Sequence, residues 1–187
     1  KTIERTDMTG LAFIEVAPGI AYQFELLGGK VRVGADLEYL FNSDNKTSSF
    51  TGKECAFGEC KQELTLINYA MWDDGMTLRL GGEYQVNKSV FARLGYIYDT
   101  KSANIKYPSA FGTPPAPTMS YTVGGEYRVG NGLSIAVALA YRSGSVDITE
   151  DQLGTDDKGN LQCQFCGKEG TYRIAMLGGC LDAVIRF

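Results

Sequence analysis

Apolar and polar residues alternate with a period of two over most of the chain. From Lys30 onward, Val31, Val33, Ala35, Leu37, Tyr39 and Phe41 fall on one face, and Lys30, Arg32, Gly34, Asp36, Glu38 and Asn42 on the other, with Leu40 the one apolar intruder. Such alternation is the signature of a strand with one greasy and one polar face. It recurs from Met76 to Val86, from Thr118 to Val129 and from Leu133 to Arg142, while no stretch shows helical periodicity of comparable strength. The expected class is all-β, with strands over about 11–24, 30–42, 63–72, 76–87, 89–100, 117–129, 132–146 and 170–187.

Turn chemistry divides the connections into two kinds. Short polar turns are expected at Leu27-Gly28-Gly29, Asp73-Asp74-Gly75, Val86-Asn87-Lys88 and Val129-Gly130-Asn131. Long connections are expected over 43–62, 101–116 and 147–169, and they hold most of the Pro, Asp, Ser and Cys. Pro18, inside the first strand, is expected to mark a bulge. Strands of about ten residues joined alternately by short turns and long loops are typical of transmembrane β-barrels.

Composition narrows the chemistry. The chain has 187 residues, which suits a single domain over 1–187, and it contains no His. Ser–His and Cys–His nucleophilic catalysis and most zinc sites are thereby excluded. The net charge of −4 without a basic cluster argues against nucleic acid. No apolar run is long enough for a transmembrane helix, a test that β-barrels escape. Cys55 and Cys60 in ECAFGEC, and Cys163 and Cys166 in CQFC, are candidates for local disulfides in an oxidising compartment, with Cys180 left as a buried thiol. A zinc site from the four paired cysteines is the competing assignment, without the usual knuckle or ribbon flanks. Lys1 opens directly in polar sequence with no signal peptide, so an exported protein would be represented by its mature or trimmed form.

Three features favour a barrel with its apolar face on lipid and its polar face inward. Tyr22, Tyr39, Tyr84, Tyr127 and Tyr141 stand where an interfacial girdle would need them. The opposite face is rich in Gly, Ala, Ser and Thr, which suit a crowded interior. The alternating end Leu181-Asp182-Ala183-Val184-Ile185-Arg186-Phe187 closes on an aromatic residue that is expected to act as an outer-membrane assembly signal. A secreted, disulfide-bonded β-sandwich is the soluble alternative.

The stretch from Met76 to Phe187 resembles the C-terminal part of the FadL family, outer-membrane transporters of long-chain fatty acids and other hydrophobic compounds. The residues that carry it are Leu78 to Asn87 (LRLGGEYQVN), Ala92 to Asp99 (ARLGYIYD), Tyr107-Pro108 through Phe111-Gly112-Thr113-Pro114-Pro115, Val123 to Arg128 (VGGEYR), Ala138 to Tyr141 and Phe187. Residues 11–43 resemble an internal hairpin of the same family less specifically. The resemblance implies an outer-membrane location in a Gram-negative bacterium and passage of small hydrophobic, fatty-acid-like compounds. It also implies outer-membrane lipid, lipopolysaccharide and the assembly machinery as partners, and no cofactor. Family members have fourteen strands, an N-terminal plug and more than twice this length; no plug is evident here, so none of their ligand sites is transferred.

About eight strands are expected, with Asp73-Asp74-Gly75 as a hairpin. If 63–86 is instead one long bent strand, the count is seven, all long loops share one end, and the sheet forms the C-terminal part of a larger, fourteen-stranded barrel. The expected lumen-facing charges are Arg32, Asp36, Glu38, Arg79, Glu83, Arg93, Glu126, Arg128, Arg142 and Asp182. In a narrow barrel they are expected to pair into a plug; in an open one they would form a constriction. No catalytic residue and no metal site are expected. Asp36 with Glu38, or Asp73 with Asp74, read more simply as an ion pair and a turn than as an acid–base couple. The acidic loop from Glu150 to Asp157 lacks EF-hand spacing. The lipid face or the loops are where a protein partner or a second copy would bind.

Overall fold

A computed structural model describes residues 2–9, 14–56, 59–69, 71–101, 103–108, 115–130, 132–155 and 167–185. Its strands are β1 (Thr2–Thr9), β2 (Ile14–Val16), β3 (Gly19–Leu26), β4 (Gly29–Phe41), β5 (Thr47–Ala56), β6 (Glu59–Tyr69), β7 (Gly75–Gln85), β8 (Val90–Asp99), β9 (Thr118–Val129), β10 (Leu133–Ile148) and β11 (Gly170–Ile185). A single 3-10 turn, Glu150–Gln152, is the one helical element among the described residues. All pairings are antiparallel, so the all-β expectation holds.

Two sheets form. The larger runs β11-β10-β9-β8-β7-β4, with β2 and β3 both on the remaining side of β4; the smaller runs β1-β5-β6. Because β2 and β3 lie end to end, the larger sheet is seven strands wide, and it is not closed into a barrel. Counted separately, β2 and β3 make it a sheet of eight strands, the number expected, but the expected closure is not seen. The outer edges of β3 and β11 carry no strand partner among the described residues.

Pro18 explains the split between β2 and β3, and there is no bulge there. The register is the same on both sides, with Val16 opposite Tyr39 and Gly19 opposite Asp36. Leu37 N–H donates to Pro18 O at 3.0 Å. A hydrogen-bonded antiparallel pair exchanges two such bonds, and proline can supply only the acceptor.

Connections sort by end. The turns at 27–28, 86–89 and 130–132 lie at one end of the larger sheet, while 42–74, 100–117 and 149–169 leave from the other. Leu27 and Gly28 both have positive φ, at 50° and 78°, which a two-residue type I′ hairpin requires. Two long connections are laced together: Gly154 N–H donates to Lys106 O at 2.9 Å, and Gly167 N–H to Pro108 O at 2.6 Å. Tyr107 stacks on Tyr69 at 5.8 Å between ring centroids, so β6 joins the same cluster. Ala116, Ile148 and Leu153 are buried nearby in sequence, which puts most of the buried apolar side chains at this end.

The expected long connection 43–62 contains β5 and the start of β6, and Asp73-Asp74-Gly75 is not a hairpin. Instead β4 continues through a kink into β5, and β6 through a matching kink into β7. Backbone bonds from Met71 to Lys46 (2.8 Å) and from Trp72 to Asn45 (3.2 Å) carry the pairing across the kink. The alternative of a long bent strand over 63–86 is therefore the nearer description, and all long connections share one end. Asp74 holds the bend: Asn42 N–H (2.9 Å) and Ser43 N–H (2.8 Å) donate to Oδ1, and Tyr39 OH donates to Oδ2 at 3.0 Å. Met71, at φ 44°, takes the left-handed conformation on the facing strand.

The Ser43 backbone N–H, first among several hydrogen bonds, holds the Asp74 carboxyl below the usual carboxylate range. A carboxyl depressed in the folded state stabilises the kink above its unfolded value and ceases to do so as pH falls through its lowered value. Asp74→Ala is expected to raise hydrogen exchange over 42–46 several-fold at neutral pH with the larger sheet unchanged. In the wild type, corrected protection there falls once pH drops below the ordinary carboxylate range. Unaltered exchange in the variant would show that the bend is held without Asp74.

Candidate functional site

Strand register puts all ten expected lumen charges on one face of the larger sheet. Asp36 lies opposite Arg79, Arg32 opposite Glu83, Glu83 opposite Arg93, and Asp182 opposite Ala136, itself opposite Glu126. Eight of the ten are brought into ion pairs. Arg79 bridges two carboxylates of β4, reaching Asp36 Oδ1 at 2.8 Å and also binding Glu38 Oε2. Arg93 sits between Glu83 of β7 (2.7 Å) and Glu126 of β9 (2.5 Å). Arg128 binds the other oxygen of Glu126 at 2.6 Å and lies 3.9 Å over the centre of the Phe91 ring. Arg142 reaches Asp99 at 3.1 Å. Arg32 and Asp182 make no ion pair among the described residues.

Asp99 is the member that sequence reasoning missed. It stands six residues after Arg93 on the same strand, so period-two counting places both on one face. Thr77 Oγ1 donates to Asp99 at 2.7 Å and Thr118 Oγ1 at 3.1 Å, while Arg142 donates to Thr118. Thr118, 1% exposed, and Thr77, 4% exposed, make this the most enclosed part of the face. Guanidinium suits these positions because its planar fork of donors satisfies two acceptors on different strands.

Between the charged clusters lies a row without bulk: Ala21, Gly34, Gly81, Gly95, Thr122, Ala140 and Gly178 face one another in succession across all seven strands. A groove of about 650 Å³ opens here, reached by Arg32, Glu83, Arg93, Cys180 and Asp182. Cys180 is exposed on this face, not buried as its apolar flanks suggested.

The opposite face is apolar and open. Ile20, Leu94, Leu177 and Leu181 are 77%, 69%, 78% and 76% exposed, and Val123, Val137 and Leu139 are exposed between them. Monomeric soluble proteins rarely show contiguous apolar patches above a few hundred Å². A groove of about 1,040 Å³ crosses this face over Val33, Leu80, Leu94, Val123, Leu139 and Leu177. The tyrosines are distributed differently from a simple girdle. Tyr96, Tyr121 and Tyr141 form one transverse row, Tyr39 lies toward the long connections, and Tyr84 and Tyr127 lie toward the short turns. Tyr22 stands at mid-height opposite Val33.

No group of metal-ligating side chains is present among the described residues. Cys163, Cys166 and Phe187 lie outside the described residues, as do Asp156 and Asp157 of the acidic loop. For Cys55 and Cys60 the backbone alone is described, and they are register partners.

The Arg93 cluster is partly exposed, so its worth lies between that of surface and buried pairs. Arg93→Met is expected to cost about 1–2 kcal/mol in the purified protein, measured by denaturant titration. Arg93→Met with Glu83→Gln should recover most of the loss, because Glu126 keeps Arg128. Equal stability of the single variant and the wild type would mean that the pairs contribute nothing net. In comparisons with known proteins, no family model, curated protein or solved structure matches this chain.

Proposed function

We propose that the chain forms the wall of an integral outer-membrane β-barrel of a Gram-negative bacterium and passes small hydrophobic, fatty-acid-like compounds across that membrane. The observation that carries this is the continuous exposed apolar face over strands of sufficient length. A transmembrane strand needs about 9–11 residues; β4 and β7 to β11 have 10 to 16, and β2 with β3 occupies 14–26. No helix among the described residues is long and apolar enough to cross a membrane. Short turns at one end and long connections at the other match the barrel pattern.

Strand parity bears on closure. In an antiparallel sheet seven strands wide, β3 and β11 run in the same direction, so joining them directly would make a parallel pair. Antiparallel closure takes an odd number of further strands, which suits the FadL-like alternative of a larger, fourteen-stranded barrel. A second copy in the same membrane orientation would also meet β11 with a parallel strand. The second reading is a closed structural barrel filled by ion pairs, favoured by the Arg79, Arg93 and Arg142 clusters.

Leu94→Arg on the apolar face should block integration, since a midplane arginine facing lipid costs about 2–4 kcal/mol. Gln23→Glu, on the polar face opposite Arg32, should integrate normally. Flotation with outer-membrane lipid vesicles and heat-dependent gel mobility read the result; equal behaviour of the two variants would refute the face assignment. Expression in Gram-negative cells should then raise uptake of a fluorescent long-chain alkyl probe above that of cells without the protein. Integration without any uptake would favour the filled barrel.

A further inference from the structure

The hairpin of β5 and β6 contains a one-residue register shift whose effect is to set two cysteines opposite each other. From Thr47 opposite Tyr69 to Glu54 opposite Gln62 the pairing is regular; beyond it Cys55 is opposite Cys60 and Ala56 opposite Glu59. Lys61 is the extra residue. Had the earlier register continued, Cys55 would face Lys61 instead. Directly opposed residues of an antiparallel pair have Cα atoms about 4.5–5.5 Å apart. That range falls inside the roughly 4.4–6.8 Å that a disulfide spans.

We infer that Cys55 and Cys60 form a native cross-strand disulfide closing the distal end of this hairpin. The inference rests on the outer-membrane reading in one respect, that the chain passes through an oxidising compartment. The oxidant is a disulfide donor of the oxidised-glutathione class. One cysteine thiolate attacks a donor sulfur, forming a mixed disulfide and releasing the first donor thiolate. The second cysteine thiolate attacks the mixed disulfide and releases the other. One S–S bond forms and one breaks; two electrons pass to the donor, whose two thiolates take up the protons that the cysteines lost.

The neighbourhood makes the test clean. Trypsin cuts after Lys53 and Lys61, so the fragment Glu54–Lys61 holds both cysteines and no other. Free thiols of the full chain are blocked with iodoacetamide as the cells are lysed, and the membrane fraction is digested without reductant. The expected result is an unalkylated fragment lighter by two hydrogens than its reduced form, doubly alkylated only after reduction. Cys180, exposed and free, alkylates in the same sample and shows that the reagent worked. A fragment doubly alkylated before reduction overturns the disulfide, as does one joined to Gly159–Lys168, which carries Cys163 and Cys166. The purified chain refolded in detergent with oxidised glutathione separates the two ideas. Closure there, with open thiols in cells, overturns the native disulfide through the export reading and leaves the register able to form it; open thiols in both sink the pairing itself.

Discussion

Register is the constraint on which the rest depends. In a strand the side-chain period is two, so a slip of one residue exchanges the faces completely. In the larger sheet such a slip would carry Arg93 and Glu126 among Leu94, Val123 and Leu139. None of its pairings shifts register among the described residues. Among the described residues the shifts fall in the smaller sheet, between Arg5 and Asp7 and between Glu54 and Cys55. Strands such as TSSFTGKECA have no apolar face to protect, and a bulge there exposes nothing that the fold must hide.

The same constraint accounts for the charge arrangement. The ten expected lumen residues comprise five arginines and five carboxylates, all delivered to one side. Five side chains of each sign on a single sheet face would be costly if each stood alone, because a poorly solvated charge is expensive unless paired. The structure relieves this across strands rather than along them: Arg79 links β7 to β4, Arg93 links β8 to β7 and β9, and Arg142 links β10 to β8. Each bridge therefore also fixes the register of the strands it joins. Pairing and register reinforce each other, and this explains why the best-defined interactions lie on the polar face while the apolar face is left bare.

Much of this was legible in sequence because the larger sheet alternates so regularly. All ten charges could be assigned to one face by counting alone, and the turns at Leu27-Gly28 and Val86-Asn87-Lys88 followed from side-chain type. β6 was legible from 63 onward, within the strand expected over 63–72, whereas β5 was not, since polar residues on both of its faces give no period to count. Asp74 misled for a physical reason. A carboxylate that accepts backbone N–H groups is favoured in a tight turn, but here Asn42 and Ser43, the donors, lie about thirty positions away, just past the end of β4. Local turn chemistry does not reveal the sequence distance of its partner. Pro18 misled similarly: its missing N–H breaks a hydrogen bond without requiring the extra residue of a bulge.

The row of small residues gives the polar face its remaining character. Gly34, Gly81, Gly95, Ala140 and Gly178 leave an unfilled belt between the Asp36–Arg79–Glu38 and Arg142–Asp99 clusters on one side and the Glu83–Arg93–Glu126–Arg128 cluster on the other. A Cβ added at Gly95 would stand 2.4 Å from Thr122 Oγ1, whereas one added at Gly81 or Gly178 would meet nothing within 4 Å, so close approach constrains the belt at Gly95 and the rest of it is open. The groove therefore exists by omission of side chains, whereas both of its borders are built of charges that neutralise one another. On the proposed reading, passage along this face would be decided at those two borders, where the arginines hold carboxylates of neighbouring strands. The belt between them offers room but no resistance, and substitutions there would change volume before they changed access.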